Sequence, residues 1–403
     1  MKKMVFMAAF VAATAAFVAC SSNDDLVQQK PDVPEEQIEE KVPMKIIVSD
    51  LASRGNDFNS TTNPLTTFKL YSTMNDSWTS GKAFEKPSSS WTVDGADLTW
   101  ETGGPFTFFG INDVDNLADL DKDGHKDAPV VTATTCSFNY AMPQEEKTSD
   151  PGNYWCNSEN LPDLLVSKNT GSSSLNDGKL TVDFTHALAQ IKAINIYANS
   201  TRLEAKSVTD HQTYRFRING IRLGGLKYIG TYTFDANPAW VVSGDDTEFT
   251  IPLDESQLTY AKTWFKPGAD KTTGITLPLT DGGLYLIPQV ANGSFVKDEF
   301  DLYLSSGAYA ELDAQVFVYQ YASKTGDNDD GVYRSCSSSN AQVLFNATRS
   351  DLAGYGKIRV PLIFSLAPGY GYTLTLDLSR GVYYDGSFEG NAIFDGITFD
   401  SGS

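Results

Sequence analysis

From residue 44 onward, apolar and polar side chains alternate along short segments, and this period of two is the strongest constraint on the fold. In the segment YTLTLDLSR, Tyr372, Leu374 and Leu376 share one face, and the residues between them are polar. Side chains of a strand point alternately to the two sides of its sheet. Glycine- and asparagine-rich turns separate such segments, and no long segment has helical periodicity. The sequence therefore predicts an all-β fold, most simply two β-sandwiches.

Two pairs of segments predict antiparallel pairing. KIRVPLIFSL (357–366) and YTLTLDLSR (372–380) flank the turn signal APGYG, which is typical of a hairpin with one solvated face. FDLYLSS (300–306) and AQVFVYQYA (314–322) form a second predicted pair. A third stretch, LTVDFTHALAQIKAINIYA (180–198), alternates, loses its register and alternates again. It predicts two strand segments separated by a bulge or one turn.

The length of the chain predicts two domains. At 403 residues the chain is longer than a domain with a single hydrophobic core usually is. Its 41% hydrophobic content is that of a globular protein. Turn residues and acids in NPAWVVSGDD (237–246) separate two strand-rich halves. This predicts an N-terminal sandwich over residues 44–240 and a C-terminal one over 241–403.

The first residues are typical of an export signal. MKKMVFMAAFVAATAAFVAC has a basic start, a short apolar run and small residues before Cys20. FVAC resembles the lipobox of bacterial lipoproteins, which implies that residues 1–19 are removed and Cys20 is lipidated. A plain secretory signal with an incidental cysteine is the alternative. Residues 20–43 are acidic and contain three prolines, as expected of a flexible tether. Asp24 and Asp25 resemble surface-export signals, so we predict the exposed face of the outer membrane.

Export also makes disulfides possible. Cys136, Cys156 and Cys336 remain after the signal peptide, which allows one bridge and one spare thiol. Cys136 with Cys156 would close the shorter loop, but sequence alone does not determine the pairing.

Catalysis and nucleic-acid binding are not indicated. The formal net charge is −20, whereas phosphate binding requires basic stripes. The three histidines, His125, His186 and His211, have no metal-binding spacing, and no nucleophile elbow, phosphate loop or dinucleotide fingerprint is present. We therefore predict a protein that is not an enzyme, with His186 as a structural, hydrogen-bonded residue of the sheet. A carboxylate pair for glycoside hydrolysis stays open as a third alternative.

The acidic segment DLDKDGHKD is the sharpest local signal. Asp119, Asp121 and Asp123, followed by a glycine, match positions 1, 3, 5 and 6 of an EF-hand loop, and Asp127 falls at position 9. Position 12 is Val130, where a bidentate glutamate is expected, and no flanking helices are indicated. The loop is a candidate Ca²⁺ site formed by these four aspartates, and a solvated acidic loop is the alternative. No cofactor is otherwise required.

The aromatic residues allow an alternative function, the binding of glycans. The sequence has 6 Trp and 19 Tyr, and exposed rings could stack on sugars. Packing in the core and on strand faces explains most of them without a ligand. A surface glycan-binding lipoprotein is accordingly the main alternative function for this chain.

Four segments together resemble the fimbrillins, the lipoprotein-derived pilins of Gram-negative gut and oral bacteria. DFTHALAQIKAINI is similar to the F-x-H-x-L-x-x-I signature of that family, and LPDLLVSK (161–168) is similar to the strand that precedes it. WTVDGADLTWETGGPFTFFGIND resembles the family's aromatic region, and LYLIPQV (284–290) its L-L-I-P-Q strand. The similarity extends from about residue 44 to the C-terminus.

The resemblance implies two transthyretin-like β-sandwich domains and assembly with other fimbrial subunits. Many fimbrillins reach the surface as lipoproteins, anchored in the outer membrane until an arginine-specific protease removes an N-terminal strand. A strand of another subunit then fills the groove. The implied function is a fimbrial subunit for adhesion and biofilm formation, with a host or bacterial surface receptor that the sequence does not identify.

The candidate removable strand is PMKIIVSDLASR (43–54), which ends at Arg54 before Gly55. Ile46 and Val48 would fill the groove, and Arg54 with Gly55 would be the cleavage site. The alternative is a permanent edge strand that merely ends at Arg54. At the other end, NAIFDGITFDSGS has only a short apolar stripe for donation to a neighbour, which favours a tip or accessory subunit.

Overall fold

A computed structural model gives the structure of the protein. Several predicted features lie outside the residues it describes: the signal peptide, Cys20 and the tether up to residue 41, Arg54 with Gly55, Asp123, and Cys336. The described residues are 42–48, 65–87, 91–93, 98–122, 124–148, 151–158, 161–197, 212–251, 275–279, 283–297, 303–320, 341–345, 356–377 and 397–401.

The predicted all-β class is confirmed. The described helices are the single turn α1 (Asp76–Thr79), capped by the Asn75 side chain, and the 3₁₀ turns Val114–Asn116 and Asn176–Gly178. No helix in the described ranges is long and apolar enough to cross a membrane. The strands are β1 (Lys45–Val48), β2 (Thr67–Ser72), β3 (Lys82–Glu85), β4 (Thr92–Val93), β5 (Phe106–Ile111), β6 (Val130–Val131), β7 (Cys136–Ala141), β8 (Glu145–Glu146), β9 (Tyr154–Trp155), β10 (Leu165–Gly171), β11 (Lys179–Val182), β12 (Phe184–His186), β13 (Ala189–Tyr197), β14 (Gln212–Thr233), β15 (Trp240–Thr250), β16 (Ile275–Pro278), β17 (Leu284–Leu286), β18 (Val290–Asn292), β19 (Ser294–Lys297), β20 (Tyr303–Ser306), β21 (Tyr309–Gln320), β22 (Ala341–Phe345), β23 (Gly356–Pro361), β24 (Ile363–Ser365), β25 (Gly371–Asp377) and β26 (Ile397–Ser401).

A six-stranded antiparallel sheet in the order β12-β10-β5-β2-β3-β4 organises the N-terminal part. Both faces of this sheet are buried, because neighbouring side chains such as Phe108 and Phe109 on β5 are each fully buried although they point to opposite sides. One face packs in a cluster that we call the N-terminal core. Its buried members are Met44, Leu65, Phe68, Leu70, Met74, Trp78, Phe84, Trp100, Phe108, Leu165, Leu180, Val182 and Phe184.

The opposite face of the six-stranded sheet belongs to a second, larger core. Tyr71, Phe109 and Val166 from that sheet share this core with Phe138 and Tyr140 of β7. β7 alternates buried and half-buried residues along its whole length, as expected for a strand with one face in a core. The six-stranded sheet therefore separates the two cores and contributes side chains to both.

A seven-stranded sheet is built around the long strand β14, in the order β22-β21-β14-β7-β6, with β15 also paired to β14 and β23 to β21. The predicted border between residues 240 and 241 falls inside β15 (Trp240–Thr250). β15 pairs with β14, for example Tyr232 with Trp240, so residues from both sides of that border share a sheet. The division of the chain into two domains stays a prediction.

The two predicted strand pairs were wrong. β23 pairs with β21, β24 with β18, and β25 with β13, so the segments around APGYG do not form a hairpin with each other. β20 pairs with β19, and not with β21. Alternation identifies the buried face of a strand but carries no information on which neighbour satisfies its backbone groups. The prediction of two strand segments over residues 180–198 is confirmed only in that the stretch is interrupted: it forms three strands, β11, β12 and β13, and the bulge between Ile191 and Ala193 lies inside β13.

Cys136 and Cys156 do not form the short-loop bridge that the sequence allowed. Both are free thiols, and both are fully buried in the larger core. Cys136 lies on β7, whereas Cys156 pairs with β15 through backbone hydrogen bonds to Glu248 and Thr250. Desolvation raises the pKa of each thiol from 9.0 to about 12.

Candidate functional site

Strand β1 occupies a groove between two walls, which we call the β1 groove. One wall is β11, with which β1 pairs in parallel from Lys45 opposite Lys179 to Val48 opposite Val182. The other wall is the segment 98–100. Met44 N–H donates to the Leu98 carbonyl at 2.8 Å, and Trp100 N–H donates to the Val42 carbonyl at 2.8 Å. The segment 42–48 is therefore held on two sides, residues 42–44 by the segment 98–100 and β1 by β11.

The side chains of β1 alternate as predicted. Met44 is 6% exposed and belongs to the N-terminal core, and Ile46 and Val48 pack against that core. Lys45 is exposed on the outer face, and Ile47 is 45% exposed. Full burial of a side chain of this size contributes about 1.5–3 kcal/mol. Met44 is buried and Ile46 and Val48 are half-buried, so together they hold the segment by a few kcal/mol. The apolar floor of the groove would face water without them.

Trp100 connects the two walls of the groove independently of β1. Its indole Nε1–H donates to the Gly178 carbonyl at 3.0 Å, immediately before β11, and its ring packs edge-on against Phe108. A side chain at Gly171 would lie 2.6 Å from the Trp100 ring, so this contact requires glycine. Gly178 has φ +71°, a conformation that side chains rarely adopt. The sequence marked this region only as an aromatic motif, and nothing in its spacing indicated the link to Gly178.

Two of the fimbrillin-like motifs meet at a contact between a histidine and a buried aspartate. His186 Nδ1 lies 2.7 Å from Asp163 Oδ2, with side-chain exposures of 14% and 3%. Asp163 belongs to LPDLLVSK and His186 to DFTHALAQIKAINI, and antiparallel pairing of β10 with β12 brings them together. As predicted, His186 is a residue of the sheet with a polar partner, whereas the absence of a catalytic role stays a prediction. Asp163 belongs to one of the motifs in the sequence, but only the pairing of β10 with β12 shows that it contacts His186.

The residues after His186 join this pair to more distant parts of the chain. The Ala187 carbonyl accepts a hydrogen bond at 2.7 Å from the buried Trp240 indole N–H of β15. The Leu188 carbonyl accepts from Gly369 N–H at 2.8 Å, just before β25. The H-A-L sequence is therefore a structural junction where three segments distant in sequence meet.

Three of the four aspartates of the candidate Ca²⁺ loop lie close together. One carboxylate oxygen from each of Asp119, Asp121 and Asp127 lies within 4.8 Å of the others. Gly124 N–H donates to Asp119 at 3.0 Å, and Asn139 donates to Asp127 at 3.0 Å. The spacing predicted this convergence, but exposed acidic groups are common without an ion. The calcium assignment stays a prediction.

A buried tyrosine anchors the start of the same loop. The Tyr140 hydroxyl donates to Asp113 Oδ2 at 2.6 Å, and Asn116 donates to both carboxylate oxygens of Asp113. Burial raises the pKa of Asp113, and burial together with the Asp113 carboxylate raises the pKa of Tyr140 well above its ordinary range. The loop therefore projects from a fixed base on β7.

The calcium prediction is tested most directly by thermal unfolding. If the loop binds Ca²⁺, then Ca²⁺ at about 100 times its dissociation constant should stabilise the protein by about 2.7 kcal/mol. Asp121→Asn should abolish that stabilisation, because Asp121 is an exposed member of the cluster. Asp115→Asn, an exposed acid nearby and outside the cluster, should leave it unchanged. Equal melting curves with Ca²⁺ and with a chelator would favour the solvated-loop alternative.

Most of the described tryptophans are structural. Trp78, Trp100 and Trp240 are at most 5% exposed. Trp91 packs edge-on against Phe68 in the N-terminal core, and Lys147 covers the ring of Trp155. Core packing therefore explains Trp78, Trp91, Trp100 and Trp240, as expected, and Trp78, Trp100 and Trp240 are not available to stack on a sugar.

The described residues define an all-β protein in which a short N-terminal strand fills a groove at the edge of a core. No protein-family model and no curated protein matches the chain. Among solved structures it is similar to a fimbrial protein from Bacteroides vulgatus, at 14% identity over 89% of this chain and 98% of that chain, with a TM-score of 0.46. It is also similar to candidate cell adhesion proteins from Bacteroides uniformis (12% identity, 90% and 98% coverage, TM-score 0.38) and Bacteroides ovatus (10% identity, 90% and 96% coverage, TM-score 0.36).

Proposed function

We propose that the protein is a non-catalytic, cell-surface fimbrial subunit whose β1 groove accepts a strand from another subunit. The observation that supports this best is the position of β1. It places Met44, Ile46 and Val48 in or against the N-terminal core, yet it is only four residues long and belongs to a two-stranded sheet. A strand held in this way is replaceable by another strand with the same pattern.

The chemistry of replacement follows from the two walls. If β1 left, the edge of β11, the Leu98 carbonyl and the Trp100 amide would lose their backbone partners, and the apolar floor would be exposed. An incoming extended segment satisfies both needs at once, through main-chain pairing and alternate apolar side chains. The link from Trp100 to Gly178 keeps the two walls joined while the groove is empty.

The proposal includes the route to the surface. Lipidation at Cys20 would tether the subunit to the outer membrane, and cleavage between Arg54 and Gly55 would separate β1 from the rest of the chain. In the described segments, β1 ends at Val48, six residues before that site. Cleavage there would free the strand without cutting any residue that pairs with β11.

A tip or accessory position fits the C-terminal end. β26 (Ile397–Ser401) pairs with β25 in the sheet of its own chain, from Leu376 opposite Ile397 to Tyr372 opposite Ser401. A segment used in this way is not free for donation, whereas a tip subunit needs only to accept a strand. The adhesion receptor would then contact a subunit that ends the filament.

The replaceability of β1 can be tested with the full chain carrying a site-specific protease sequence after Arg54. The protein is cleaved once, both fragments are retained, and a labelled peptide EKVPMKIIVSD (the β1 peptide) is added in excess. We expect the label to enter the large fragment as the original N-terminal fragment leaves. A control β1 peptide with Ile46→Asp and Val48→Asp should bind at least about tenfold more weakly, because two inward side chains are lost. Retention of the original fragment at every peptide concentration would contradict the proposal.

A further inference from the structure

Two lysines are neighbours at the start of the pairing between β1 and β11. In the parallel pairing of β1 with β11, Lys45 lies directly opposite Lys179, one residue before the apolar pair of Ile46 and Leu180. Both lysines are on the outer face of the strand pair, since Ile46 and Leu180 point toward the N-terminal core. Like charges in directly opposed positions destabilise a strand pair, whereas opposite charges stabilise it.

The surroundings compensate for this repulsion only weakly. Lys179 Nζ lies 4.0 Å from Asp177 Oδ2, and the Asp177 side chain is 94% exposed, so solvent screens the contact. Within the described residues, no ion pair involves Lys45. Strand β1 therefore fits the floor of the groove through its apolar side chains, but its charge does not match the wall.

We propose that Lys179 makes the β1 groove selective for a strand that has aspartate or glutamate at the position of Lys45. This inference rests on the proposed function, in which a strand from another subunit replaces β1. The preferred partner is an extended segment that runs in the direction of β1. It has apolar side chains at the positions of Met44, Ile46 and Val48, with a carboxylate between the first two.

Such a strand should bind the groove more tightly than β1 does. It retains the apolar contacts that hold β1, and it converts the repulsion at Lys179 into an attraction between opposite charges. Lys179 thus distinguishes the resident strand from its replacement without any change in the floor of the groove. Selectivity of this kind uses an unfavourable contact against one occupant together with a favourable contact for another.

The test uses the full chain cleaved after Arg54, with both fragments retained, and three versions of the β1 peptide: unchanged, Lys45→Gln and Lys45→Glu. The peptide concentration that displaces half of the resident strand is measured at low salt and at about 1 M salt, where the screening length falls to about 3 Å. We expect the Lys45→Glu peptide to displace β1 at about fivefold lower concentration than the unchanged peptide, with Lys45→Gln between them. High salt should reduce the difference to less than about twofold.

Protein variants at the wall separate charge from other effects. In the Lys179→Glu protein the unchanged peptide should displace β1 at a lower concentration than the Lys45→Glu peptide. In the Lys179→Gln protein the three peptides should displace β1 at similar concentrations. The Lys179 side chain is 43% exposed, so both variants are expected to fold. Equal displacement by all three peptides in the original protein would overturn the proposed selectivity, whereas the proposal that β1 is replaceable would still hold. A preference for Lys45→Glu that persists in Lys179→Glu would also overturn it. Failure of every peptide to displace β1 would instead refute the proposed function.

Discussion

Replacement of Arg222 by methionine is expected to lower the free energy of unfolding by about 3–5 kcal/mol. Arg222 Nε on β14 lies 2.9 Å from Glu311 Oε1 on β21, and the Glu311 side chain is only 1% exposed. Without the guanidinium, this buried carboxylate loses the cation that lies 2.9 Å from it. The measurement is urea unfolding at neutral pH, with the slope of the transition checked for constancy.

Two further variants make this result specific. The double variant Arg222→Met with Glu311→Leu should recover most of the loss, because apolar pairs replace buried ion pairs at little cost. Lys227→Met is the matched control: Lys227 pairs with Asp246 at 2.9 Å, but the side chains are 34% and 54% exposed. An exposed pair of this kind should contribute less than about 1 kcal/mol. A double variant as unstable as Arg222→Met would show that the buried charge is not the cause.

The same pair tests how the chain is divided. Arg222 and Glu311 lie on opposite sides of residue 240, and Glu248 of β15 also approaches Arg222, at 3.8 Å. β14, β15 and β21 belong to one sheet. The destabilisation should therefore appear in a single transition that reports on both sides of the predicted border, since the strands of one sheet unfold together.

Local patterns in the sequence predicted the local structure well. Alternation identified β1 and the inward positions of Ile46 and Val48. EF-hand spacing brought Asp119 and Asp121 together with Asp127. These features depend on neighbouring residues and on the period of a strand, and both can be read directly from a sequence.

Pairing between distant strands could not be predicted in this way. The contact of His186 with Asp163 depends on β10 lying beside β12, and that of Lys45 with Lys179 depends on a parallel register. The Trp100 indole reaches Gly178, which is 78 residues away in sequence. Such contacts arise from the choice of partner strand, which the buried face of each strand does not specify. The β1 groove was therefore expected from the family resemblance, whereas its walls became visible only in the structure.

Alkaline pH is expected to unfold the protein through its buried thiols and phenols. Desolvation raises the pKa of Cys136 and Cys156 from 9.0 to about 12, and burial raises that of Tyr71 and Tyr232 from 10.0 to about 12. Above pH 9 the unfolded thiols lose protons that the folded thiols retain. The folded state then binds more protons than the unfolded state, so stability falls as pH rises. The loss begins near pH 9, steepens above pH 10 when the tyrosines contribute, and levels off near pH 12.

The size of this effect is comparable with the whole stability of a domain. Each unit of difference between folded and unfolded pKa is worth about 1.4 kcal/mol, so by about pH 11 the two thiols alone remove roughly 5 kcal/mol. Domains are typically stable by about 5–15 kcal/mol. Chemical unfolding measured from pH 8 to 11 should show this decline, and the Cys136→Ala with Cys156→Ala variant should show a shallower one, although it starts from a lower stability because of the two cavities. An unchanged pH slope in that variant would mean that the thiols are not the groups that titrate. Tyr71 and Cys136 lie in the same core, where burial and a Cys136 thiolate both raise the pKa of Tyr71, so each group opposes the ionisation of the other while the core is folded. Both groups should therefore ionise together as this shared core opens, and the six-stranded and seven-stranded sheets, which both contribute to it, should unfold in one cooperative step.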